Sequence, residues 1–248
     1  MHSSRTDGFS CRISSTATLQ RLRAPVTSKQ IQRIMPRSIR VNPIPTGFLA
    51  LDQELGTGGW PAGRLVELLG EGIWAKELLA YMAVASVQRM GGNAFLVTQS
   101  EGSNPNLAEI AEIRQNLLPM IRVRDDDDAA QATADIAASG HAYMVVFYRF
   151  GNNTSDLGAW LARISTASKK TGTTVLLISP PHEGLPSAQE ADSPNSRAIK
   201  RYADIRVHVH QHNAMADRRA TVAVRIVQNR AGGRHASVSL SIPVLPNQ

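Results

Sequence analysis

The stretch that decides how this chain is read is RLVELLGEGIWAKELLAYM, residues 64–82. Arg64 to Leu69 is an apolar, strand-like run, and Leu78 to Met82 is apolar and helix-like. Between them, GEGIWAKE (residues 70–77) stands where a strand hands over to a helix, the place of a phosphate loop. A working loop reads G-x-x-x-x-G-K-[ST]. Backbone N–H groups and the helix N-terminus cradle the phosphates, and the hydroxyl residue holds magnesium. Gly70 and Lys76 fill the first glycine and lysine positions, but Ala75 replaces the second glycine and Glu77 the hydroxyl residue. Ala75 restricts a backbone that normally uses glycine's freedom. Glu77 brings a carboxylate towards a triphosphate, and two like charges about 4 Å apart repel by about 4 kcal/mol at an effective dielectric near 20. A magnesium ion ligated by Glu77 would offset part of that. Trp74 adds bulk over the pocket. Lys76 reads either as an anion-binding group or as a lysine snorkelling at a helix start.

Outward from this stretch, strands and helices alternate. A short helix at 48–52 precedes strand 64–69, and helix 76–90 is stopped by Gly91-Gly92. Strand 94–98, a helix near 105–116, a short strand at 121–123 and a helix at about 128–139 follow. Asp125 to Asp128 sit where carboxylates favour a helix start. Strand 143–147, helix 155–170 and strand 173–178 complete a parallel α/β pattern. Residues 180–198 read as a polar loop. The runs 205–210, 220–226 and 237–242 alternate with period two and read as antiparallel edge strands with one wet face. The expectation is one α/β domain over 42–248, a mostly parallel sheet extended by C-terminal antiparallel strands.

The chain has 248 residues with 42% hydrophobic content, enough for a sizeable core. No run of 18 apolar residues occurs, so no membrane span is expected. The single cysteine, Cys11, gives no disulfide framework and fits a reducing, cytoplasmic compartment. Of 27 Lys and Arg and 20 Asp and Glu, eight bases and one acid fall in residues 1–41, leaving 19 of each sign in the remainder. The net charge of +7 therefore belongs to an N-terminal arm, expected to be disordered. That arm reads as a transit peptide, as a nucleic-acid-binding arm, or as a solvated leader ahead of a true start at Met35.

The segments Ile44 to Asp52, Leu55 to Gly70, Ala198 to Arg206 and Val227 to Arg230 resemble, in order and spacing, the RecA recombinase family over roughly residues 44–245. The GGWP-x-G-x-L-x-E-L-L form with a weak phosphate loop is similar to the ImuA branch, RecA-like accessory proteins of bacterial translesion synthesis. The resemblance implies a RecA-like core and, in working members, Mg-ATP chemistry. Here the family's magnesium-orienting Asp, at the end of strand 143–147, is Tyr148, and a neutral phenol holds Mg²⁺ poorly. The family's water-activating Glu is Gln99, which cannot act as a base. Glu101 reads as a substitute base or as a solvated loop acid. The sensing polar residue after the next strand is Pro180 or Pro181. Loss at four stations argues against ATP hydrolysis, so no catalytic residue and no cofactor are assigned, with weak Mg-ATP binding as the alternative.

Other chemistry is thinner. His208, His210 and His212 share one strand face, reading as metal ligands or as a polar, water-facing face. Ser179, His182 and Glu183 lie together in sequence without making a triad. Trp60 and Trp160 read as packing residues. The family's DNA-contacting loop is acidic here, with Glu183, Glu190 and Asp192. Any DNA contact is therefore expected from Arg197, Lys200, Arg201 and Arg206, together with the arm. The function implied is an ATPase-deficient accessory protein of DNA repair and the SOS response. Its expected partners are an error-prone polymerase subunit or a RecA-type filament, single-stranded DNA and a second copy of itself. The rival reading is a divergent DNA-dependent ATPase of homologous recombination.

Overall fold

The computed structural model describes residues 42–70, 73–99, 105–148, 156–180, 194–216, 219–233 and 235–243. The arm at 1–41, Met35, Glu101, Pro181 and the acidic stretch with His182, Glu183, Glu190 and Asp192 lie outside these residues. Eight strands form one sheet: β1 (Leu65–Gly70), β2 (Ala94–Thr98), β3 (Met120–Arg122), β4 (Met144–Tyr148), β5 (Thr174–Ile178), β6 (Ile205–Ala216), β7 (Arg219–Asn229) and β8 (Ser237–Pro243). Their order across the sheet is β3-β2-β4-β5-β1-β6-β7-β8. The helices are α1 (Leu49–Leu55), α2 (Trp74–Arg89), α3 (Pro105–Ile110), α4 (Asp126–Ser139), α5 (Leu157–Thr171) and α6 (Pro194–Tyr202).

The parallel strands β1, β2, β4 and β5 are buried at every position, as strands covered on both faces must be. Alternate residues feed two cores. Val66, Leu68, Val146, Leu176, Val207 and Val224 meet α1, α2 and α3; Leu65, Val145, Val175 and Leu177 meet α4, α5 and α6. Helix ends follow local chemistry. Asp125 caps α4 by accepting from the Asp128 N–H at 2.8 Å, and Asp156 caps α5 by accepting from Ala159 at 3.0 Å.

The structure corrects four expectations. The helix near 105–116 stops at Ile110. Ile113 N–H returns to Ala108 O at 2.9 Å and Glu112 N–H to Glu109 O at 3.0 Å, around a left-handed Glu112. Arg114 is then fastened to Gln88 at the end of α2 by three hydrogen bonds. Second, residues 194–198 open α6 rather than close a loop. Third, β6 is not an antiparallel edge: it runs parallel to β1 and antiparallel to β7, joining the two halves of the sheet, and only β8 is an outer strand of the extension. Fourth, His208 is buried, because its strand lies between β1 and β7 rather than at a wet margin.

The entry segment is held by a two-way bridge, Ile44 to Trp60 at 2.8 and 2.7 Å, with the Trp60 ring fully enclosed. Gly59, at φ 141°, permits it, since a Cβ there would lie 2.3 Å from Ile44 O. Asp204 anchors the start of β1, accepting from Arg64 at 3.1 Å and from the Leu65 N–H at 3.3 Å. Gly59→Ala is expected to lower stability by roughly 2–4 kcal/mol through combined backbone strain and overlap, read as a shift in urea midpoint without a change in slope.

Candidate functional site

In open α/β sheets ligands bind outside the carboxyl ends of the strands. Here that edge gathers Gly70, Tyr148 and Ser179 from the ends of β1, β4 and β5, with Lys76 and Glu77 from the first turn of α2. The sequence reading placed Gly70, Lys76 and Glu77 together, and the structure does bring them together. Gly70 has φ 114°, and a Cβ on it would meet Val209 O at 2.3 Å, so glycine is required by the β1–β6 pairing itself. Trp74 is half-buried against the α2 side of the core.

Lys76 is neither snorkelling nor open to solvent. It is 0% exposed, and its Nζ donates to Gly70 O and to Ser179 O, both at 2.9 Å. Ser179 Oγ donates to Glu67 Oε1 at 2.6 Å, and Glu67 Oε2 accepts from Arg206 Nε. Glu67 and Arg206 are register partners on β1 and β6. Burial lowers the Lys76 ammonium from its ordinary 10.5 to about 8, with the charges of Glu67 and Glu77 opposing the shift.

Glu77 and Tyr148 meet. Burial raises the Glu77 carboxyl, opposed by the Tyr148 hydroxyl and by Lys76. Tyr148, buried at the end of β4, is pushed well above the usual phenol range by burial, with Tyr81 and Glu77 adding to the effect. The two positions that hold magnesium in a working site thus face each other as a carboxyl and a phenol. The repulsion expected of Glu77 is also softened, because Lys76 stands beside it.

The other predicted groups disperse. Gln99 follows β2 half-buried, and Pro180 follows Ser179, also half-buried. Arg197, Lys200 and Arg201 are exposed on α6, at a spacing that gathers them on one side of the helix. Arg206 is not with them: its side chain is 12% exposed and committed to Glu67. His208 and His210 share a face of β6, and among the described residues no group of three or more His, Cys, Asp or Glu could hold a metal ion. Trp60 is core, whereas Trp160 lies between helices, donating to Asp127 at 3.2 Å beneath Arg163, 4.7 Å from its ring.

Sequence reading gave no role to Glu67 or Tyr81, weighed Ser179 only against a triad, and named Arg230 only within a family-like segment. Glu67 carried a signal, a lone charge inside an apolar strand, which needs a buried partner. Arg230 did not: it holds the end of α6 by donating to Arg201 O at 2.6 Å and Lys200 O at 2.9 Å.

Residues 17–151 match the family described as the RecA N-terminal domain. Protein RecA of Rubrobacter xylanophilus is 27% identical over 229 residues, covering 83% of this chain and 67% of that protein. Protein RecA of Lactobacillus delbrueckii subsp. bulgaricus is 26% identical over 218 residues, covering 77% and 65%. That of Tropheryma whipplei is 26% identical over 215 residues, covering 77% and 49%. The chain thus spans from about two thirds to about half the length of these relatives. The crystal structure of the RadB recombinase superposes with a TM-score of 0.65 at 15% identity, over 80% of this chain and 95% of that one, a likeness of fold.

The lowered Lys76 fixes a pH dependence. Between about pH 8 and 10.5 the unfolded chain keeps a proton on this lysine that the folded chain has released. The group's contribution to stability therefore rises with pH across that window and is level below it. Urea midpoints measured against Lys76→Met are expected to show the unsubstituted protein gaining on the variant from pH 8 upward. A difference constant with pH would contradict the assignment.

Proposed function

The chain belongs to the RecA N-terminal domain family, and from that premise we propose that it is an ATPase-deficient RecA-like accessory protein of DNA repair. It acts through protein contacts and through a basic surface that meets single-stranded DNA. The observation that carries this reading is the state of Lys76. The one group that a phosphate loop cannot work without is enclosed and bonded to the chain's own carbonyls. Glu77 against Tyr148 supports the same conclusion, since Glu77 stands where the pattern has Ser or Thr and Tyr148 where the resemblance implies Asp. Within the family the reading favours the ImuA-like branch, with a role in the SOS response and translesion synthesis. The partners are an error-prone polymerase subunit or a RecA-type filament, and a second copy of the chain.

Calorimetry with Mg-ATP is expected to show no binding up to millimolar nucleotide. Micromolar binding followed by DNA-stimulated phosphate release, abolished by Lys76→Ala, would instead identify a divergent recombination ATPase.

DNA contact is assigned to Arg197, Lys200 and Arg201 on α6 and to the basic arm, and Arg206 is left out because its charge is neutralised by Glu67. Replacing Arg197, Lys200 and Arg201 together by Ala is expected to weaken single-stranded DNA binding. It should also flatten the slope of log affinity against log salt by about 2. Deleting residues 1–41 is expected to weaken it further. An unchanged slope in the triple variant would remove α6 from the interface.

A further inference from the structure

The carboxyl ends of β1 and β5 and the start of β6 are joined by a run of buried polar groups. Lys76 Nζ reaches Gly70 O and Ser179 O at 2.9 Å each. Ser179 turns its second polar group the other way, and its Oγ donates to Glu67 Oε1 at 2.6 Å. Glu67 passes the connection to Arg206 on β6 through its other oxygen. Lys76, Glu67 and Ser179 are at most 5% exposed. Two of the three ammonium donors are therefore committed to backbone acceptors at the ends of buried strands. One ammonium donor is left over, and an acceptor that took either of the other two would leave a buried carbonyl without its donor, a loss that is not recovered from water.

We propose that Lys76 is an internal clasp: it ties α2 to the ends of β1 and β5 and, through Ser179 and Glu67, sets the position of β6, so that the chain's exit from β5 is fixed by its own side chains and not by a ligand. The proposal deepens the accessory-protein reading and rests on it for one point, that no nucleotide competes for the ammonium. The consequence is a domain with a single, permanently fastened arrangement of the edge that a nucleotide would otherwise control.

The test is acylation of the full-length native protein by acetic anhydride, followed residue by residue by mass spectrometry. Lys169, Lys170 and Lys200, all exposed, serve as references. Lys76 is expected to react at least about tenfold more slowly than these, because it reacts only through local opening. Mg-ATP is expected to leave its rate unchanged. Ser179→Ala keeps the carbonyl but cuts the link to Glu67, and is expected to raise the Lys76 rate several-fold. Reaction of Lys76 as fast as Lys200 overturns the clasp, and an unchanged rate in Ser179→Ala overturns its extension to β6. The two readings separate cleanly. Calorimetric Mg-ATP binding with a slow Lys76 whose rate the nucleotide leaves unchanged sinks the accessory reading and keeps the clasp. A fast Lys76 in a protein that binds no nucleotide does the reverse.

Discussion

A buried ammonium bonded to two strand-end carbonyls is the constraint around which this domain is arranged. An ion of that kind is costly to enclose unless its donors are met. The surroundings meet them in a specific way: β1 ends in a carbonyl, the residue after β5 supplies another, and Glu67 and Glu77 stand close enough to counter the charge. From this follows the closeness of α2 to the sheet, while the Ser179 hydroxyl and the nearby ammonium make Glu67 tolerable inside β1. Arg206 completes the balance by neutralising Glu67 from the next strand. Each charge in the group has a reason only if the others are present.

Glu77 and Tyr148 are likewise not independent of each other. A carboxylate at 77 beside an aspartate at 148 would be two like charges in a poorly solvated cleft, and burial with a like charge would hold one of them protonated. With Tyr at 148, a carboxyl at 77 finds a hydroxyl instead of a rival charge. The carboxyl and the phenol satisfy one another without a second charge beside them.

Much of this architecture was legible in the amino-acid order, and the limits were physical. The parallel core announced itself because strands buried on both faces read as near-continuous apolar runs; β4 and β5 do so, and β1 is interrupted only by Glu67. Period two in β6 to β8 identified strands but not their pairing partners, since a strand with one polar face reads alike whether its neighbour is parallel or antiparallel. β6 has one of each. The early end of α3 depends on Gln88 gripping Arg114 from another helix, a contact that no local propensity encodes. At the site, motif spacing found Gly70, Lys76 and Glu77. The direction of the Lys76 side chain was set by Gly70 O together with Ser179 O, 103 residues away, and the fate of Arg206 by Glu67 on a neighbouring strand. Side-chain charge alone made Arg206 look like its exposed neighbours on α6.

The pairing of β1 bears on how such a chain is born. β1 has two neighbours, and both are made much later: β5 begins at residue 174 and β6 at residue 205. A ribosome therefore releases this largely apolar strand long before either flank exists to cover it. Contacts of such long sequence separation slow folding and leave edges open to mispairing. The strand that ends up at the centre of the sheet spends its early life as its most vulnerable margin, and shielding it until translation passes Ile205 falls to the cell rather than to the sequence.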